Sequence, residues 1–204
     1  MSRQLKKSTR GGRALLFARN FFRHPRMLGS LVPSSPFLIK RVLRRVDWAS
    51  ARVIVEYGAG VGTFTGEILR RLRPDGTLVA FETNDEFVQY LRESLRDPRL
   101  HIVHGSADRV GDVLERLGRG PADYVISGIP FSTIPEDARE SILRATRAAL
   151  RPRGALIVYQ FTRRILPSLE RVFGRGRVSR DFEPRNILPA QLFYCTTAAA
   201  DRAA

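Results

Sequence analysis

Three glycines and two carboxylates carry the most chemistry in this sequence. Glu56-Tyr57-Gly58-Ala59-Gly60-Val61-Gly62 follows a short apolar run and precedes apolar residues at helical spacing. Gly58 permits a tight turn, Gly60 lets bare backbone approach a ligand, and Gly62 lets the next helix pack closely. A nicotinamide or flavin fingerprint, G-x-G-x-x-G, needs glycine at position 63, where Thr63 stands. Here the third glycine comes one residue early, and an acid, Glu56, sits two residues before the first. Twenty residues past Gly62, Glu82 ends a second apolar run. A carboxylate placed there can accept hydrogen bonds from both hydroxyls of a ribose. Asn84 follows it, a third apolar run leads into Ser106-Ala107-Asp108, and a fourth into Ser127-Gly128-Ile129-Pro130-Phe131.

These residues need a scaffold that brings the ends of several strands together. The sequence predicts strands at 53–57, 77–82, 100–104, 122–127 and 155–161, with helices at 63–72, 84–95, 108–117 and 136–150 between them. Closing strands are expected around 177–182 and 191–197. Strand and helix in alternation argue for a parallel sheet covered on both faces. The fold class is therefore α/β.

The E-x-G-x-G-x-G spacing resembles motif I of the class I S-adenosylmethionine-dependent methyltransferases. That resemblance implies a Rossmann-like fold, a mostly parallel seven-stranded sheet, with S-adenosylmethionine as cofactor. It places Glu56, Gly58, Gly60, Gly62, Thr63 and Asn84 at the cofactor, with Glu82 at the ribose. Ser106, Ala107 and Asp108 would meet the adenine, and Ser127 would stand beside the methyl donor. No metal is expected.

Ser127 to Phe131 resembles the [NDS]-x-P-[FY] motif of enzymes that methylate amino groups, among them ribosomal RNA adenine dimethyltransferases. It departs from them in carrying Ser-Gly-Ile before the proline, where the RNA enzymes usually have Asn and one residue. By this likeness Ser127 and Gly128 hold the target nitrogen as catalytic residues, and Ile129, Pro130 and Phe131 line the substrate pocket. Tyr159, expected at a strand end, is a third catalytic candidate. With Phe131 it offers an aromatic face to a methylated cation. Both rings could instead be plain core residues.

The segment from Phe21 to Leu38, the glycine loop and the Ser127–Pro130 turn together resemble bacterial phospholipid N-methyltransferases of the compact, soluble type, over about residues 12–197. The resemblance implies successive methylation of phosphatidylethanolamine towards phosphatidylcholine. It also implies a 29–36 loop that closes over the cofactor, with Ser35 facing the substrate, and an N-terminal helix that docks on anionic membrane.

Composition and charge bear on that last point independently. Of 204 residues 35 are Lys or Arg and 20 Asp or Glu, giving +15, yet residues 1–52 hold 13 of the bases and a single acid. Residues 1–52 are read as a basic arm and lid, and 53–204 as the methyltransferase domain. At helical spacing, Phe17, Phe21 and Phe22 share an arc of about 160° with Ala14, Leu15 and Ala18. Arg13, Arg19 and Arg23 lie opposite. Such a helix suits the interface of an anionic bilayer. A second amphipathic helix over 36–46 could pack either on the domain or on membrane. The one cysteine, Cys195, and three histidines exclude a disulfide framework and a zinc cluster.

Three function classes remain. The first is a membrane-docking lipid methyltransferase, monomeric, cytoplasmic and peripheral to the inner face of the membrane. The second is an RNA adenine or protein amine methyltransferase that uses the arm on phosphates. The third is a non-catalytic binding module. A nucleic-acid partner is disfavoured, because phosphate binding needs arginines but no phenylalanine face. No helical RNA-binding domain is expected after the last strand.

Overall fold

The computed structural model describes residues 34–197. Seven strands form one sheet: β1 (Val53–Tyr57), β2 (Thr77–Glu82), β3 (Leu100–His104), β4 (Ala122–Ser127), β5 (Leu150–Gln160), β6 (Val178–Glu183) and β7 (Ala190–Thr196). Their order is β3-β2-β1-β4-β5-β7-β6. β1 to β5 pair in parallel, and β7 runs antiparallel between β5 and β6. Helices α1 (Pro36–Leu43), α2 (Thr63–Arg71), α3 (Asp85–Ser94), α4 (Val110–Arg116), α5 (Glu136–Ala149) and α6 (Leu166–Phe173) cover the sheet.

The central strands read as unbroken apolar runs because both their faces are buried. On one face Val55, Tyr57, Phe81, Val125 and Val158 meet Val110, Leu143 and Leu169 from α4, α5 and α6. On the other, Ile54, Leu78, Ile126, Ile157 and Leu192 meet Val42 of α1 and Ile68 of α2. Cys195 is a buried filler of the first core.

The strand boundaries agree with the sequence reading to within two residues, with one exception. β5 begins at Leu150, five residues early, because the chain is kinked there: Arg153 takes φ 64° and the β4–β5 register shifts between Ala122 and Tyr124. Helix α6 escaped the pattern, being eight residues long with a proline in its first turn.

α1 answers the question left open for residues 36–46. Ser35 caps it by accepting the Leu38 N–H at 3.2 Å, and Pro36 follows in the first turn, where its missing N–H costs nothing. Leu38, Ile39, Val42 and Leu43 are buried against the sheet. Each such side chain stabilises the fold by about 1.5–3 kcal/mol. The opposite side is partly committed as well: Arg41 pairs with Asp181 and Glu183 at 3.1 and 3.2 Å, and Arg44 with Asp181 at 3.1 Å. So α1, placed with the arm on sequence, is part of the domain core. The 13–23 helix with Arg13, Phe17, Arg19, Phe21, Phe22 and Arg23, and most of the 29–36 loop, lie outside the described residues. Among the described residues no helix is long and apolar enough to cross a membrane.

Candidate active site

The strand order reverses between β1 and β4, and a doubly wound sheet opens a crevice at the carboxyl ends of such a pair. A cavity of about 380 Å³ lies there, lined by Gly58, Gly60, Glu82, Thr83, Ser106, Ala107, Gly128, Ile129 and Pro130 among others. Its size is that of a small-molecule site.

The glycine loop takes left-handed backbone at all three positions, with φ 73°, 54° and 75° at Gly58, Gly60 and Gly62. Their roles differ. A Cβ on Gly62 would lie 2.8 and 2.9 Å from the Leu91 and Leu95 side chains, so this glycine is what lets α2 approach α3. Gly60 lines the cavity, and a Cβ there would meet nothing within 4 Å beyond its chain neighbours. Glu82 fixes the loop from the neighbouring strand. Its carboxylate accepts the Gly60 N–H at 2.8 Å on one oxygen, and those of Thr83 and Asn84 at 2.8 and 2.9 Å on the other. The oxygen that takes Thr83 and Asn84 has used both its lone pairs, and the one that takes Gly60 keeps one, so a ribose hydroxyl can still donate to it.

Several predicted site residues do other work. Asn84 caps α3 by accepting the Phe87 N–H at 3.2 Å and is absent from the cavity lining. Thr63 begins α2, and Asp108 is exposed one residue beyond the lining residue Ala107. Glu56 is 2% exposed, under the loop rather than in the cavity, and accepts the Thr65 hydroxyl at 2.7 Å. Burial pushes its carboxyl up to about 8, and the charge of Glu82 acts in the same direction. At neutral pH Glu56 is therefore largely a neutral acid.

Gly128, Ile129 and Pro130 line the cavity as predicted. Phe131 does not: its ring is fully buried in the core, and the reading of it as a pocket aromatic is corrected. Ser127 is also fully buried, with its hydroxyl oxygen 3.4 Å from the Ile129 N–H, so it braces the turn from below. Ser35 belongs to the α1 cap. Tyr159 stacks on Phe64, with ring centroids 4.6 Å apart, and its hydroxyl bonds Ser34 and lies against Gly128. Burial, then the charge of Glu56, hold the Tyr159 phenol well above its usual range, so it stays protonated and can donate.

The sequence reading missed Phe87, Thr133, Ile134, Ala138 and Ile142 in the lining. Ala138 and Ile142 lie one turn apart on α5, a spacing that a core stripe shares. The only ionisable side chain in the lining, among the described residues, is Glu82. What this lining can contribute is alignment of the reacting groups.

The fold neighbours agree with this geometry. An O-methyltransferase of Bacillus cereus, solved with S-adenosylhomocysteine, matches with TM-score 0.65 at 16% identity, over 89% of this chain and 90% of that one. A precorrin-6y C5,15-methyltransferase of Geobacter metallireducens gives 0.62 at 17%, over 81% and 94%. Residues 54–154 match the methyltransferase domain family. An ornithine lipid N-methyltransferase of Singulisphaera acidiphila is 34% identical over 88% of this chain and 94% of its own length. The chain belongs to the class I S-adenosylmethionine-dependent methyltransferases, in one family with that lipid enzyme. The open space over Gly60 and the one free lone pair of Glu82 fit the cofactor. When bound, S-adenosylmethionine supplies an electrophilic methyl group. Of the cavity-lining residues, Gly58, Gly60, Glu82, Ser106 and Ala107 would hold it, and the apolar wall of Ile129, Pro130, Ile134 and Ile142 would shield it from water.

Proposed function

We propose that the protein N-methylates the primary amine of a membrane lipid headgroup, phosphatidylethanolamine towards phosphatidylcholine, at the surface of an anionic membrane. The observation that supports this reading most is the similarity to the ornithine lipid enzyme, which extends well beyond the 54–154 cofactor core. Ornithine lipid is the alternative headgroup, since it also presents an amine.

The chemistry asks little of the protein. A primary amine titrates near 10 in water and attacks only when neutral. The apolar wall at Ile129 and Pro130 disfavours its charged form and so lowers that value. The Gly128 turn orients the nitrogen, and the protonated Tyr159 hydroxyl beside it can donate a hydrogen bond but not accept the released proton. That proton leaves through water. The 13–23 helix and the basic arm would hold the enzyme on the inner face of the cytoplasmic membrane as a monomer.

Mass spectrometry of vesicle lipids after incubation with S-adenosylmethionine tests the reading. Mono-, di- and trimethylated phosphatidylethanolamine should appear in succession. If only ornithine lipid gains methyl groups, the headgroup is the other amine. If neither lipid does, the lipid reading fails.

A further inference from the structure

The edge of the molecule that carries the cavity also carries an apolar patch set among arginines. We propose that this patch is an interfacial anchor that seats the domain on an anionic lipid surface, separately from the 13–23 helix; it rests on the lipid reading above.

The topology places it. β6 and β5 both run antiparallel to β7, so they run parallel to each other. The β6–β7 turn, residues 184–189, therefore lies at the carboxyl ends of the strands, on the edge where the cavity opens. The start of α1 is bound to the same turn: the Ser35 hydroxyl donates to the Arg185 carbonyl at 2.7 Å, and the Ser35 N–H to Asn186 Oδ1 at 2.8 Å. Residues 34 and 35 in turn lead into Tyr159, whose hydroxyl bonds Ser34.

The patch itself is Ile187, Leu188 and Phe37, which are 71%, 41% and 49% exposed. They include three of the four large apolar side chains left exposed among the described residues. The turn is built to present them. Prolines 184 and 189 bracket it and fix the backbone. The Asn186 amide is buried and donates to the Leu188 carbonyl at 2.9 Å. The Arg185 guanidinium lies 4.4 Å over the Phe37 ring, although Glu183 takes part of its charge at 3.2 Å. Exposed Arg163 and Lys40 add positive charge beside the patch: Arg163 is held at the foot of the turn by Gln191 at 3.1 Å, and Lys40 lies one helical turn from Phe37.

An aliphatic tip flanked by the basic side chains of Arg185, Arg163 and Lys40 matches the acyl boundary and the phosphate level of an anionic bilayer. RNA offers the phosphates but no apolar layer for Ile187 and Leu188. Seated this way, the cavity mouth faces the membrane, and a headgroup enters without its acyl chains leaving the bilayer.

The test uses the full chain and vesicles of phosphatidylglycerol with phosphatidylethanolamine. The chain has a single tryptophan, Trp48, whose indole bonds the Leu43 carbonyl at the far end of α1, away from this edge. In the variant I187W the added indole should shift to shorter wavelength on vesicles and be quenched by brominated acyl chains, while wild-type emission stays constant. The variant I187D/L188D should bind vesicles several-fold more weakly with unchanged S-adenosylmethionine affinity. Constant I187W emission on vesicles that pellet the protein, or wild-type pelleting of I187D/L188D, would overturn the proposal. So would a blue shift without vesicles that tracks a doubling of mass, because the patch would then join two copies. If I187W inserts but no lipid is methylated, the anchor stands and the substrate reading falls. If lipid is methylated and I187W does not insert, the reverse holds.

Discussion

The Tyr159 hydroxyl occupies the space in which a side chain at position 128 would stand. A Cβ built on Gly128 lies 2.4 Å from that oxygen and 2.9 Å from the ring carbon that bears it. The glycine in the Ser127–Pro130 turn is thus matched to a tyrosine on the neighbouring strand, and the pair forms the floor beside the cavity. Gly128→Ala should push Tyr159 aside, with about 1–3 kcal/mol of strain, and lower kcat at least tenfold with cofactor affinity little changed. In a Tyr159→Phe background the same substitution should cost less, since the closest clash is gone. Equal losses in both backgrounds, read from a double-mutant cycle, would show that the two positions act independently.

Glu82 is a support of the glycine loop as well as the candidate ribose acceptor. Glu82→Ala leaves three backbone N–H groups without their acceptor, so it should lower the melting temperature in addition to cofactor affinity. Glu82→Gln keeps one acceptor oxygen and separates the two effects. Hydrogen bonds to a charged partner contribute about 1.5–3 kcal/mol, so calorimetry should show a loss on the order of tenfold or more for either variant. Binding within twofold of wild type for Glu82→Gln would remove Glu82 from the cofactor site.

Gly60 and Gly62 should separate binding from folding. Gly60→Val directs a side chain into the ligand space and should abolish S-adenosylmethionine binding, with a stability cost of about 1–3 kcal/mol from its left-handed backbone. Gly62→Ala drives a methyl group into Leu91 and Leu95 and should show up chiefly as a lower melting temperature. Melting curves and calorimetry on both variants check this. A Gly60→Val protein that binds cofactor normally would contradict the assignment of that space.

Glu56 gives the fold a pH dependence with a defined sign. Its carboxyl rises from 4.5 to about 8 on folding. Its contribution is therefore fully present below about pH 4.5 and is lost as pH climbs towards 8, because the folded state must then bury a charge. The loss should amount to a few kcal/mol. Urea denaturation between pH 5 and 9 should show stability falling in wild type and a shallower slope in Glu56→Gln. Identical slopes would place the titration elsewhere.

Much of the scaffold was legible because the physics that forms it is local in sequence. Short, predominantly apolar runs bounded β1 to β4, and the 3.6-residue period bounded α2, α3 and α5. The glycine spacing identified the loop because left-handed backbone at positions 58, 60 and 62 requires that residue. What failed was the direction in which single residues point. Asn84, a cofactor candidate on sequence, accepts the Phe87 N–H as the cap of α3, a contact that the sequence spacing does not single out. Phe131 sits one residue past the cavity lining and turns inward. The sequence leaves the 36–46 helix free to pack on the domain or on membrane, and Asp181 and Glu183, some 140 residues away, are seen to pair with Arg41 only once the chain is folded.

The central claim is that the acceptor is a lipid amine. Its most direct test is a competition in one tube, with radiolabelled S-adenosylmethionine, anionic vesicles containing phosphatidylethanolamine and ornithine lipid, and structured ribosomal RNA. The account predicts label in the lipid extract, none in the RNA, and loss of the lipid signal in Gly60→Val. Label that follows the RNA while both lipids stay unmodified would contradict it.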